Sequence, residues 1–285
     1  MERIKYEEIT IKNDYMFKTV MSKKERIKEL LKRILPELHI EDLEVVIKEK
    51  SIENKYGNHG IRLDIYAKDK RHLYDVEMQT YENKEDLLKR SRYYHSMMDV
   101  ENLMEGEVYR ELKESYVIFI CDFDPFDDNM YMYTIGSYCK EKEAYVEEGR
   151  KTIFINARGN KGKISKGLEN FLRVIKGEED NKEKDKFIEG IIEEVRRTRE
   201  DTGWREEYMS MRLAIEDALY HGEKRGFEKG EKRGIKKGEE KARKEDIINF
   251  YLILKDMMDE NEAIKKIAKQ FNMSEERILR IIKEI

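Results

Sequence analysis

The chain has 285 residues, 42% of them charged and 39% apolar, with a formal net charge of −4. A globular domain carries roughly 25% charged residues, so part of this chain must be surface-rich helix rather than core. The length suits one large domain, or one domain with a tail, and the two prolines exclude Pro-rich linkers.

The first predicted element is a helix from Asp14 to Leu35. Phe17, Val20, Met21, Ile27, Leu30, Leu31 and Ile34 fall mostly at three- and four-residue spacings. Pro36 marks its end. Asp14, near its start, suits a cap or a dipole partner. Three strands follow, Leu43 to Ile52, Ile61 to Ala67 and His72 to Thr80. Asn58-His59-Gly60 signals one turn, and Lys68 to Arg71 joins the second and third strands as a hairpin. Lys84 to Met104 reads as a helix. The continuous apolar run Tyr116-Val117-Ile118-Phe119-Ile120, within Glu114 to Cys121, fits a strand buried on both faces. Met130 to Tyr138 and Thr152 to Ile155 complete an α/β core ending near Lys176.

Beyond it the composition shifts. Residues 177–220 form a charged helical segment with an aromatic anchor at Trp204. Residues 221–244 carry glycine at every fourth position, Gly222 to Gly238, with ten Lys and Arg against five Glu. Each glycine costs an isolated helix about 1 kcal/mol against alanine. Close helix approach is one reason for such a pattern, and fraying is the other reading. Four-residue spacing also winds the glycines around the helix by about 40° per step. Residues 245–285 form a small helical module, broken at Asn272-Met273-Ser274.

Asp64 lies on the second strand and Glu77-Met78-Gln79 on the third. Glu77 and Gln79 share a face because strand side chains alternate. Pairing about the Lys68–Arg71 turn brings Asp64 toward Glu77, with opposed Cβ atoms roughly 5 Å apart. Two such carboxylates repel unless a cation sits between them, and hard oxygen ligands favour Mg²⁺ or Mn²⁺. The Met78 carbonyl is a candidate third ligand. A cation there acidifies a water and stabilises charge on a phosphoryl oxygen. The competing reading is a solvated acidic strand face.

Asp64 followed by Asp75-Val76-Glu77-Met78-Gln79 resembles the PD-(D/E)xK nuclease core, in its recombination-promoting-nuclease and transposase branch. Further pieces match in order: Asn13-Asp14-Tyr15-Met16-Phe17-Lys18, Arg90-Ser91-Arg92-Tyr93-Tyr94, Ile120-Cys121-Asp122-Phe123, Trp204 to Met209, and the glycine repeat. The resemblance implies a restriction-endonuclease-like α/β core over residues 1–176 with a helical C-terminal extension. It implies a Mg²⁺-dependent DNA endonuclease, with Mn²⁺ as the other candidate metal, in recombination, mobile-element or defence biology. Asp64 and Glu77 would hold the metal, and Asp14 would be a further acid. Gln79 stands where the family usually has lysine. A glutamine can hydrogen-bond but carries no charge. Arg90 would contact phosphate or support the site, while Tyr94 reads best as a packing aromatic.

Basic residues give the expected DNA contacts. Lys161 and Lys163 lie in a Gly-containing loop, and Lys232, Arg233 and Lys236 in the glycine repeat. A homodimer or larger oligomer is expected, since paired cuts on a duplex favour two-fold symmetry. No P-loop motif appears, so no nucleotide cofactor is expected. No apolar run of about 18 residues appears, so no membrane span is expected. No secretory signal is expected either, since Met1 to Lys5 opens no apolar h-region. Cys121 and Cys139 among many lysines and glutamates suggest the cytoplasm and are too few for a Cys-rich zinc site. Two other functional readings stay open. One is a weak or inactive nuclease fold acting through its helical tail as an interaction module. The other makes Ala263 to Ile285 a helix–turn–helix, which the acids Glu275 and Glu276 at the start of its second helix disfavour.

Overall fold

The computed structural model describes residues 6–40, 42–53, 59–82, 84–178 and 184–283. The expected first helix is two helices, α1 (Asp14–Met21) and α2 (Lys24–Ile34). The six-residue gap between Met21 and Ile27 is out of phase with one helical stripe, so a break at Ser22-Lys23 lets both apolar faces reach the core. Asn13, not Asp14, caps α1, accepting the Met16 N–H at 3.2 Å. The Asp14 carboxylate is left for another partner.

The hairpin is as expected: β1 (Val45–Ile52) pairs antiparallel with β2 (Ile61–Lys68), and β2 with β3 (His72–Gln79). Asp69 organises the second turn. Its Oδ1 accepts the N–H groups of Arg71 and His72 at 2.8 and 2.7 Å, and its Oδ2 accepts the Tyr74 hydroxyl at 3.0 Å. Asn58, part of the other expected turn, lies outside the described residues.

Next come α3 (Lys84–Asn102) and β4 (Glu114–Cys121). The stretch expected as one strand, Met130 to Tyr138, is two, divided at Gly136. β5 (Met132–Ile135) joins the main sheet, and β6 (Ser137–Cys139) pairs with the short β7 (Ala144–Val146), which the sequence does not suggest. β8 (Arg150–Asn156) completes a six-stranded sheet in the order β1-β2-β3-β4-β8-β5, with β3, β4 and β8 mutually parallel. β4 is apolar from Tyr116 to Cys121 because both its faces are covered there. Val117, Phe119 and Cys121 pack with Leu87, Met97 and Met98 of α3. The alternate residues Tyr116, Ile118 and Ile120 are equally buried on the other side.

Helices follow: α4 (Lys166–Ile175), α5 (Lys186–Glu200), α6 (Thr202–Leu254), α7 (Glu260–Phe271) and α8 (Glu275–Ile282). The chain divides into two compact units, Met1–Tyr208 and Met209–Ile285. The first runs past residue 176, where the composition places the core's end. Arg33 grips Asp185 with both guanidinium nitrogens at 2.7 and 2.9 Å, and Trp204 donates to Thr19 Oγ1 at 3.1 Å. Trp204 also stacks on Tyr208, centroids 5.3 Å apart. These contacts fasten α5 and the start of α6 onto α1 and α2. In the second unit α6 stays helical through all five glycines, exposed from Leu213 to Asp246. Its end packs with α7 and α8 around Ile247, Ile264, Ile267 and Ile278. Among the described residues, no helix is long and apolar enough to cross a membrane.

Candidate active site

The β2–β3 register pairs Ile65 with Val76, and one step further sets Asp64 opposite Glu77. There side chains replace the backbone ladder. The Asp64 N–H donates to Glu77 Oε1 at 3.0 Å, and the Met78 N–H donates to Asp64 Oδ2 at 3.3 Å. Each carboxylate thus crosses to the opposing strand and braces the hairpin where its strands part. Met78 enters the site through this N–H.

The β1–β2 register extends the row. Lys48 pairs with Ile65 and Lys50 with Leu63, so Glu49 lies opposite Asp64. Glu49, Asp64 and Glu77 therefore stand side by side on three neighbouring strands. Glu49 has φ 55° in the middle of β1. A left-handed backbone at a non-glycine residue costs roughly 1–2 kcal/mol, a strain that collects at functional sites.

Two cations flank the row. Lys18 is buried, its side chain 2% exposed, with Nζ 2.8 Å from Asp14 Oδ2, 2.9 Å from Glu49 Oε1 and 3.5 Å from Asp64 Oδ1. Arg90 of α3 flanks the other end. Its Nη2 donates to Glu77 Oε2 at 2.9 Å and to the Tyr94 hydroxyl at 3.2 Å, and its Nη1 donates to Gln79 Oε1 at 3.0 Å. Gln79 Nε2 donates to the same Glu77 oxygen at 3.3 Å. The neutral glutamine thereby ties Arg90 to Glu77, so positive charge reaches the third motif position from a helix rather than from the strand. Tyr94 also packs on the core near Phe119, as expected.

Burial is the main cause of the raised acidity constants here. It pushes Asp64 up to about 6, with Asp14 adding repulsion and Lys18 opposing it. It pushes Glu77 up to about 8, helped by the Asp64 charge and opposed by the Asp64 N–H and Arg90. Asp75, one pleat before Glu77 on the same face, is fully buried with neither oxygen hydrogen-bonded, and its carboxyl is held well above the usual range.

Asp14, Asp64, Glu77, Met78, Gln79, Arg90 and Tyr94 line one cleft of about 580 Å³, with His59 to Arg62 on its wall. Among the described residues no three His, Cys, Asp or Glu side chains converge as a metal-holding group. The donor set is smaller: two hard carboxylates at one point of the cleft, with the Asp64 charge hindering ionisation of Glu77. Mg²⁺ is often bound by only one or two carboxylates and keeps several waters, so this pair fits a hard divalent cation.

The structure thus brings Asp14, Asp64, Glu77, Met78, Gln79 and Arg90 together. Lys161 and Lys163 are exposed and do not line the cleft, and Lys232, Arg233 and Lys236 lie on the exposed part of α6 in the second unit. Sequence reasoning assigned no role to Lys18, Glu49 or Asp75. Lys18 sits four residues after Asp14, the spacing of one helical face, and that signal was available. Glu49 was legible only through the β1–β2 register.

A comparison with curated proteins finds no match, and a comparison with solved structures finds none. The family model described as PD-(D/E)XK nuclease family transposase matches residues 11–221, which takes in every element that builds the cleft. The chain belongs to the PD-(D/E)XK nuclease family of transposases.

Proposed function

We propose that the chain is an endonuclease that hydrolyses phosphodiester bonds of DNA, with Asp64 and Glu77 holding a divalent cation, Mg²⁺ or Mn²⁺. The observation that carries this reading is the opposed carboxylate pair, braced by reciprocal N–H bonds at the floor of an open cleft. The cation, when bound, supplies Lewis-acid stabilisation of charge on the phosphoryl oxygens.

The protein's own groups divide the remaining work. Lys18 holds Asp64 ionised and fixed from behind, because its buried ammonium has three carboxylate partners and no path to substrate. Arg90 lines the cleft and stays charged at any working pH, so it steadies negative charge developing on the phosphate. Gln79 fixes the Arg90 fork. Asp14 lines the cleft half-exposed and is the carboxylate placed to take a proton from the attacking water. As water oxygen bonds to phosphorus, the scissile P–O bond breaks and the leaving oxygen takes up a proton.

Lys161 and Lys163, and Lys232, Arg233 and Lys236 along α6, would add sequence-independent phosphate contacts. A two-fold oligomer would present two clefts to the two strands of a duplex. The long exposed stretch of α6 supports a second reading, in which the tail acts as an interaction module. Incubating the full-length protein with labelled duplex DNA, single-stranded DNA and RNA, each with Mg²⁺ or EDTA, tests the proposal. Metal-dependent cutting of duplex DNA that Asp64→Asn abolishes is expected. Equal cutting by a folded Asp64→Asn protein would refute it.

A further inference from the structure

The geometry points to a second anion site, within the unit Met209–Ile285, that grips the phosphodiester backbone of nucleic acid. The end of α6 and the α7–α8 turn enclose a cavity of about 720 Å³. Arg243 and Lys244 enter it from α6, and Arg277 and Arg280 from α8. Ile247 and Ile281 lie at its base. Three of the four cations are arginines, whose planar forks match phosphate oxygens.

The arginines are aimed and available. Arg243 donates to the carbonyl of Phe271, the last residue of α7, which fixes its guanidinium beside the turn. Arg277 and Arg280 are three apart on α8 and so share a face, about 4.5 Å apart along the helix axis. Among the described residues neither has a carboxylate partner. The turn adds to this. Asn272, Met273 and Ser274 of the turn line the cavity beside the start of α8.

The acids decide what this site reads. Glu275 and Glu276 occupy the first turn of α8, and Glu276 lines the cavity together with Glu240. A recognition helix uses its first turn to reach base edges, where acids so close to the phosphates are repelled. The cations begin only at Arg277. The arrangement therefore holds backbone and does not read bases. The three-residue connection of α7 to α8 has the length of a helix–turn–helix turn. The site lies outside residues 11–221, and binding there is measured without cleavage at the cleft.

Fluorescence anisotropy on the full-length protein in EDTA tests the site without turnover. The probes are a 30-base-pair DNA duplex, a second duplex of unrelated sequence and the matching RNA duplex, each from 50 to 200 mM KCl. The Arg277→Gln/Arg280→Gln variant should bind all duplexes more weakly, on the order of tenfold per arginine near 0.1 M salt, and its log–log salt slope should be shallower by about 0.9 per arginine on B-DNA. Glu276→Lys should tighten binding and steepen the slope, a gain that misfolding cannot produce. Unchanged affinity and slope in both variants would overturn the proposal. So would loss confined to one sequence, absence of wild-type binding, or arginine-dependent binding to anionic lipid vesicles but not to nucleic acid.

Discussion

Replacing Lys18 with methionine removes the one ammonium that Asp14, Glu49 and Asp64 share. Breaking a buried ion pair by removing one partner costs about 3–5 kcal/mol, because the other charge is left uncompensated. Asp14 is 54% and Glu49 33% exposed, so both can turn to water; Asp64, at 13%, cannot. The cost should fall at the low end, about 3 kcal/mol, since one stranded carboxylate and not three determines it. For a unit of this size that lowers Tm by roughly 6–12 °C. The loss depends on pH in a fixed direction. Burial and Asp14 raise the folded-state Asp64 carboxyl to about 6, and Lys18 holds it there against a further rise. Below about pH 5 Asp64 is protonated with or without Lys18, so the deficit shrinks. It grows as pH rises past 6 and is larger at pH 8 than at pH 5. Melts followed by circular dichroism at pH 5 and pH 8 measure this. The Lys18→Met deficit should also largely vanish in an Asp64→Asn background, a coupling that a double-mutant cycle reads directly. A deficit equal at both pH values, and additive with Asp64→Asn, would refute the reasoning and make Lys18 a packing residue.

Asp75→Val should stabilise the fold by about 1–3 kcal/mol, since it removes a buried carboxyl with no hydrogen-bond partner; a lower Tm would show that the carboxyl has a structural use. Arg90→Lys keeps the charge but loses the fork that spans Gln79 and Glu77. It should lower cleavage on the order of 100-fold while shifting Tm by only a few degrees, and near wild-type turnover would contradict the role given to Arg90. Burial alone would raise Glu194, but hydrogen bonds from Lys23 and Arg26 hold it down at about 2. It therefore stabilises the fold above the ordinary carboxylate range, and that stability is lost as pH falls toward 2. Glu194→Gln should melt lower than wild type at pH 7 and converge with it in strong acid.

The hairpin and its acids were legible because period-two alternation and a short turn fix a register, and a register fixes which side chains face each other. Asp64 and Glu77 follow from that alone. β4 was legible because its apolar run from Tyr116 to Cys121, buried on both faces, stands out from the polar residues on either side. The split between α1 and α2 was also present, as the phase jump from Met21 to Ile27, but a simple count of apolar spacings passes over it. β7 was not legible, since three exposed residues leave no hydrophobic pattern. The site's cations were the larger loss. Lys18 appears in sequence as an ordinary helical lysine, and only the packing of α1 against β1, β2 and β3 buries it among acids. Arg90 was read as a phosphate contact, yet its fork on Gln79 and Glu77 depends on how α3 lies over the sheet. Residues far apart in sequence that meet through tertiary packing leave no spacing to read.

The central claim is that Asp64 and Glu77 together make a metal-dependent phosphodiesterase. Supercoiled plasmid incubated with the full-length protein in Mg²⁺, Mn²⁺ or EDTA, beside Asp64→Ala and Glu77→Ala proteins shown by circular dichroism to be folded, tests it most directly. Nicking that needs the metal and disappears in both variants is the predicted result. A folded wild-type protein that leaves the plasmid intact in both metals, or variants that cut as well as wild type, would contradict it.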